Sequence, residues 1–159
     1  MSNKGKTQQF LAYLCKNYGP ATVTSLMKLS YLIDLIAAGR LGQQITSFKY
    51  MRYYYGPFDK SIYSYLEDLT RDSVLMEKTE SAQYEEYILY MNNPERATLS
   101  YDKITKKEIN IIHEVLTTVR GLGAKALTEI AYKTKPMKAI GAEIGNKKGL
   151  GLPLDLNAK

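Results

Sequence analysis

The sequence has little of what metal, redox and nucleophilic sites are made from. Cysteine and histidine occur once each, as Cys15 and His113, and tryptophan is absent. A single cysteine cannot form an internal disulfide, so the chain is compatible with a reducing compartment. Zinc sites usually need several Cys or His ligands, which this composition does not supply. We therefore predict no metal site, no cofactor and no disulfide framework.

Long hydrophobic runs are also missing. The longest apolar stretch, residues 26–41, is interrupted by Lys28, Ser30, Asp34 and Arg40. It falls short of the roughly 18–20 apolar residues of a membrane span. The N-terminus is polar and lacks the apolar segment of a signal peptide. We expect a cytoplasmic protein that has no membrane partner.

Charge is unevenly distributed along the 159 residues, although the formal net charge is +6. Residues 1–71 contain nine Lys or Arg and four Asp or Glu, residues 72–100 contain two and six, and residues 101–159 contain eleven and six. The chain is therefore basic at both ends and acidic in the middle. Tyrosine is abundant, with 14 residues against three Phe. Its apolar ring and polar hydroxyl suit half-buried sites and interfaces.

The hydrophobic periodicity predicts an α+β fold that is mainly α-helical. The second helix is apolar around most of its circumference, so we expect it to be central and buried. The pair Thr105 and Glu108 forms a capping box at the start of the fourth helix. A short sixth helix is predicted between Pro136 and Gly141. The five longer predicted helices are residues 7–18, a second from residue 22 or 24 to about 38, 59–70, a fourth from 105 that ends at Gly121 or Gly123, and 124–132.

Two regions lack a helical period and predict strands. Residues 47–54 are rich in aromatic residues and predict one strand, which Gly56 and Pro57 interrupt. Residues 73–79 and 84–91 predict a β-hairpin with a turn at residues 80–83. The expected architecture is five to six helices around a central buried helix, with a small antiparallel β-sheet of one strand plus a β-hairpin.

This pattern divides the chain into three parts. We expect residues 1–6 to be disordered, residues 7–141 to form one domain, and residues 142–159 to form an extended C-terminal tail. The tail alternates leucine with other residues, as Leu150, Leu152, Leu154 and Leu156. Such an arm could dock on its own sheet or add to the edge strand of a partner.

Catalytic motifs are weak. Cys15 and His113 would form a nucleophilic pair only if the fold brought them together, and a cysteine in an amphipathic helix is typically a packed or surface thiol. Residues 145–149 lack the Gly-Lys-Ser/Thr ending of a phosphate-binding loop. The sequence therefore predicts a binding protein and no enzyme.

The helix at 59–70 and the hairpin after it have the order of a recognition helix and a wing. A pI of about 9.2 suits a DNA-binding protein. Phosphate contacts need Lys or Arg. The hairpin region instead sets a single basic residue, Lys78, against five acidic ones: Asp72, Glu77, Glu80, Glu85 and Glu86. This acidic hairpin argues against DNA binding, so a winged-helix-like DNA-binding regulator of a mobile element is only the alternative function.

The most distinctive segment is residues 49–58, in which basic and aromatic residues are interleaved. Interleaving of this kind can clamp single-stranded nucleic acid. We expect one face of this strand to pack on the second helix and the other to be exposed, which would indicate a protein partner. Packing alone is the alternative. Strand alternation separates two sets of side chains: Met51, Tyr53 and Tyr55 on one face, and Tyr50, Arg52 and Tyr54 on the other.

Three stretches carry a family resemblance. They are Leu26–Asp34 with Lys28-Leu-Ser-Tyr31, the turn Tyr55-Gly56-Pro57-Phe58 followed by Ile62-Tyr63, and the helix from Ala124 that leads to Pro136. In this order they resemble the Panacea domain family of SocA-like antitoxins, over about residues 7–140. The family usually has a His four residues before the late proline and a Trp after it. This chain has Tyr132 and Met137 there.

The resemblance implies a bacterial, phage or prophage antitoxin. Such a protein neutralises a cognate toxin encoded by a neighbouring gene through direct contact, and some members act as adaptors to a cellular protease. It implies no cofactor. The residues expected to touch the toxin are Arg52, Tyr53, Tyr54, Tyr55, Phe58 and Tyr63. The residues expected to shape the fold are Lys28, Tyr31, Gly56, Pro57 and Pro136.

Overall fold

The computed structural model describes residues 4–95 and 99–158, and within these ranges it confirms a mainly helical α+β fold. The helices are α1 (Lys6–Tyr18), α2 (Val23–Leu41), α3 (Ile62–Arg71), α4 (Lys106–Thr118), α5 (Ala124–Tyr132) and α6 (Lys135–Ala139). The strands are β1 (Met51–Tyr53), β2 (Gly56–Phe58), β3 (Leu75–Ala82) and β4 (Glu85–Asn92). None of these helices is both long and apolar enough to cross a membrane.

The second helix, α2, is the centre of the fold, as its apolar pattern predicts. It contacts α3, α4, α5, β2 and β4. Thr22 caps its N-terminus by accepting a hydrogen bond from the Ser25 N–H. The helix continues to Leu41, beyond the predicted end at residue 38, because Gly42 has a left-handed backbone (φ 82°) that closes the last turn.

A buried carboxylate ties α2 to the following loop. Asp34 accepts hydrogen bonds from the N–H groups of Ile45 (2.7 Å) and Thr46 (3.1 Å), the Thr46 hydroxyl (2.5 Å) and the Tyr50 hydroxyl (2.6 Å). Burial raises the pKa of Asp34, and these hydrogen bonds to the charged form counteract that effect. The cluster fixes where the next strand begins.

Only the end of the strand predicted at residues 47–54 is a strand, namely β1. The Ser47 N–H donates to Thr7 Oγ1 (2.9 Å), and the Lys49 N–H donates to Asp59 Oδ2 (2.7 Å). Side chains therefore satisfy donors that a neighbouring strand would otherwise take. The helix predicted from residue 59 begins later, at Ile62, and the other Asp59 oxygen accepts from the Ser61 N–H (2.9 Å).

The described strands form two separate two-stranded sheets where one small sheet was expected. The glycine and proline that interrupt β1 start β2, which pairs antiparallel with β1 from Met51–Phe58 to Tyr53–Gly56. Strands β3 and β4 form the predicted hairpin. Its turn is Gln83-Tyr84, since pairing continues as far as Ala82–Glu85, beyond the predicted turn start.

The C-terminal tail docks on its own domain, along β1. The Arg52 N–H donates to Leu152 O (2.9 Å), and the Arg52 carbonyl accepts from the Gly151 N–H (2.7 Å). The Leu154 N–H donates to Tyr50 O (2.9 Å). At the other terminus, residues 1–3 lie outside the described residues. Helix α1 starts at Lys6, and Lys4 pairs with Asp68 (3.1 Å).

Candidate partner-binding site

Five aromatic side chains around the β1–β2 turn and the start of α3 are exposed or half-exposed, in a strip that we call the aromatic ridge: Tyr53, Tyr54, Tyr55, Phe58 and Tyr63. The four tyrosines are 37, 65, 77 and 51 % exposed in that order, and Phe58 is half-buried. The Phe58 ring links the ends of the strip. Its centroid lies 5.6 Å from the Tyr53 centroid and 6.0 Å from the Tyr63 centroid.

Strand alternation explains the ridge only in part. Tyr50 and Arg52 point inward, and the Tyr50 ring meets Tyr31 of α2 edge-on at 5.3 Å between centroids. Strict alternation would put Tyr54 on the same face as Tyr50 and Arg52, although Tyr54 was among the residues expected to contact a partner. It is exposed because it lies in the turn between β1 and β2, where the two-residue alternation stops. The turn thereby leaves three consecutive tyrosines exposed.

Arg52 is not available to a partner in this fold, contrary to the expectation from the sequence. Its side chain is fully buried, and Nη2 donates to the carbonyls of Glu143 (3.1 Å) and Asn146 (2.8 Å) in the tail. The guanidinium carbon lies 5.5 Å from the Tyr132 ring centroid. Nε and Nη1 have no hydrogen-bond partner among the described residues. Arg52 therefore holds the tail against β1.

Beneath the ridge lies a buried lysine. Lys28 is 1 % exposed, and its Nζ donates to Pro57 O at 3.0 Å. The ammonium also lies 5.7 Å from the centroid of Phe58. Desolvation by burial lowers the pKa of Lys28 to about 8. Through its hydrogen bond to Pro57, Lys28 connects α2 to β2 beneath the aromatic ridge.

Gly56 is favoured as a glycine by its backbone conformation, and it lies in close contact with two buried side chains. Its φ of +106° is a region that side chains rarely adopt, and a Cβ there would lie 3.4 Å from both Lys28 Cε and Tyr132 Cε2. The Tyr132 hydroxyl donates to Tyr54 O (3.1 Å) and accepts from Arg52 Nη2 (3.3 Å). The tyrosine that stands in the place of the expected histidine thus connects the ridge turn to the buried arginine.

The remaining residues expected to shape the fold are internal. Tyr31 shares a hydrogen bond with Thr134 Oγ1 (2.7 Å), which lies just before α6. Pro136 is buried in the first turn of α6, a position that suits proline because the first helical N–H groups have no intrahelical acceptor. Met137, in the place of the expected tryptophan, is fully buried in a small cluster with Tyr132 and Ala142.

A cleft of about 310 Å³ opens between α2 and the ridge. Lys28 was expected to shape the fold, and no functional role was expected for Thr24 or Lys60, yet all three line the cleft. A signal for Thr24 exists, since it lies one helical turn before Lys28 on the same face of α2. The described residues that line the cleft are Thr24, Lys28, Tyr53, Tyr55, Phe58, Lys60 and Tyr63.

Within the described residues, the structure gives little support to a nucleophilic pair of Cys15 and His113 or to a DNA-binding role of the β3–β4 hairpin. Cys15 is buried, and burial raises the pKa of its thiol to about 12, so the nucleophilic thiolate is disfavoured. His113 Nε2 shares a hydrogen bond with the Tyr13 hydroxyl (2.5 Å). In the hairpin, Lys78 pairs with Glu80 (2.8 Å), so this basic group is already engaged by a carboxylate.

Comparison with known families identifies most of this fold. A family model described as "Antitoxin SocA-like, Panacea domain" matches residues 26–136, from α2 to the start of α6. The match includes every residue of the aromatic ridge and every lining residue of the cleft except Thr24. No curated protein and no solved structure gives a significant match.

Proposed function

Because this chain belongs to the SocA-like antitoxin family defined by the Panacea domain, we propose that it neutralises a protein toxin by direct contact through the aromatic ridge. The observation that carries the proposal is the exposure of four neighbouring tyrosines around Phe58. Contiguous apolar patches at a surface mark interaction sites. Tyrosine is also among the residues that dominate interface energies, because it buries a large ring with few rotatable bonds.

The backbone under the ridge is held in place before any partner binds. Tyr54 O accepts from the Tyr132 hydroxyl, and Pro57 O accepts from Lys28. The β1–β2 pairing closes the turn from both sides. A preorganised surface loses less conformational entropy on association, so more of the contact energy contributes to affinity.

Co-expression with the product of the neighbouring gene tests this proposal. We expect the wild-type chain to restore growth, and the double variant Tyr54→Ala/Tyr55→Ala to fail. The matched control is Tyr84→Ala/Tyr87→Ala, which removes two exposed tyrosines from the β3–β4 hairpin. Equal rescue by the ridge variant and the wild type would contradict binding through the ridge, and a harmless neighbouring product would contradict the antitoxin role.

The amount of toxin separates contact from delivery to a protease. Direct neutralisation leaves the toxin level constant when the chain is expressed, and the complex can be purified. An adaptor lowers the toxin level in a protease-dependent way. We propose neutralisation by contact, and an immunoblot of the toxin after translation is stopped checks it.

A further inference from the structure

Resting on the proposed function, we propose that the cleft beside the ridge is an anchor pocket for an acidic side chain of the partner protein. The carboxylate of an Asp or Glu would enter between the rings of Tyr53, Tyr55 and Tyr63 and pair with the ammonium of Lys28. The aromatic ridge would then contribute contact area, and the cleft would contribute selectivity for charge.

The charges that line the cleft all have one sign. Among the described residues that line it, Lys28 and Lys60 are charged and none is Asp or Glu. Asp59 is adjacent to Lys60 in the chain, but its two oxygens accept from the N–H groups of Lys49 and Ser61. A carboxylate from outside is therefore the complementary ligand for this cleft.

The Lys28 ammonium has unused hydrogen-bonding capacity. An ammonium can donate three hydrogen bonds. Among the described residues, Nζ donates one, to Pro57 O, and forms no ion pair. A buried cation without a counter-ion is unfavourable. An anion that pairs with it on binding therefore contributes strongly to the free energy of association. The depressed pKa of Lys28, whose cause is desolvation alone, agrees with this absence of a partner.

The walls of the cleft strengthen an ion pair formed inside it. Four of the lining residues are aromatic and lower the local polarity, and the attraction between two charges rises as the local dielectric constant falls. The volume of about 310 Å³ lies at the lower end of ligand pockets, which suits one side chain better than a whole cofactor. Lys60 is exposed at the rim, where its charge attracts an approaching acid.

A titration with two small probes tests the pocket without the toxin. The probes are 3-phenylpropionate and its neutral analogue 3-phenylpropionamide, added to the isotope-labelled wild-type chain and followed by NMR. We expect the acid to bind about ten-fold more tightly than the amide, since one charge-assisted hydrogen bond is worth roughly that factor. We also expect the shifts to concentrate on Lys28, Tyr53, Tyr55 and Tyr63.

Lysine variants test which residues cause the tighter binding of the acid. Lys28→Met should abolish it, Lys60→Met should weaken it, and the control Lys78→Met on the hairpin should leave it unchanged. Equal affinity for the two probes, no binding of either, or a preference that survives both cleft variants would each overturn the proposal. If Lys28→Met does not fold, the affinities of the wild type and of Lys60→Met for the acid and the amide still test the proposal.

The outcome is separable from the proposed function. If the ridge variants abolish toxin neutralisation while the probes show no preference for the acid, the antitoxin role stands and the anchor pocket is wrong. If the probes show the preference while neutralisation does not depend on the ridge, the pocket binds acids but the toxin contact lies elsewhere.

Discussion

The two sides of the segment from Tyr50 to Tyr55 have the same kinds of side chain and opposite environments. Tyr50 and Arg52 are buried; the Tyr50 hydroxyl donates to Asp34, and Arg52 Nη2 donates to the tail and to Tyr132. Tyr53, Tyr54 and Tyr55 face outward. Within the described residues, the hydroxyls of those three tyrosines have no hydrogen-bond partner. Residues a few positions apart thus have different roles: the inner ones stabilise the fold, and the outer ones are available for recognition.

The contrast between the inner and outer side chains shows that residue type alone does not identify an interface. Arg and Tyr are both enriched at binding hot spots. Here the arginine holds the C-terminal tail, and one of the tyrosines completes a buried carboxylate cluster. Changes on the inner side should lower the free energy of unfolding, and changes on the outer side should leave it nearly constant.

The largest effect is expected at Asp34. The variant Asp34→Ala leaves four donors without their acceptor, so we expect unfolding free energy to fall by roughly 3–5 kcal/mol. Tyr50→Phe removes one of these hydrogen bonds and should cost about 1 kcal/mol. Urea unfolding followed by circular dichroism measures both. Asp155→Ala, at an exposed carboxylate, is the control, and an Asp34→Ala midpoint equal to that of the control would show that the cluster does not anchor the inner side.

A smaller, pH-dependent effect is expected at Lys28, which lies between the two sides. Its folded-state pKa is about 8, below the ordinary value of 10.5. Between these values the unfolded chain binds the proton that the folded chain has lost, so the Lys28 contribution to stability rises with pH. We expect the free energy of unfolding of the wild type, minus that of Lys28→Met, to increase by about 2 kcal/mol between pH 7.5 and 9.5.

Because buried tyrosines and Cys15 also titrate near this window, only the difference between the two proteins is informative. Burial raises the pKa of these other groups in both proteins, which lowers stability at high pH by the same amount. A difference that stays constant with pH would mean that Lys28 is solvated in the folded chain. The anchor pocket would then lose the argument that its cation is unpaired.

The sequence predicts the helices and the central position of α2 well, because apolar periodicity and capping residues are local signals. It also puts Tyr53, Tyr54 and Tyr55 among the residues expected to contact a partner, and all three are exposed. It does not predict the burial of Arg52, because that depends on contacts with a segment about 90 residues later in the chain. The tail from Glu143 to Leu154 supplies the carbonyls that make an inward guanidinium acceptable, and the turn before β2 ends the alternation.

The smallest effect on stability is expected on the outer side. Tyr54→Ala and Tyr55→Ala should each change the free energy of unfolding by less than about 0.5 kcal/mol, as is usual for exposed positions. Tyr50→Ala, four residues earlier, should cost roughly 3–5 kcal/mol because it removes a buried ring and leaves Asp34 short of a donor. Urea unfolding of the three variants compares them directly. If Tyr54→Ala were as destabilising as Tyr50→Ala, the ridge would be part of the core, and its tyrosines would no longer be free to bind a toxin.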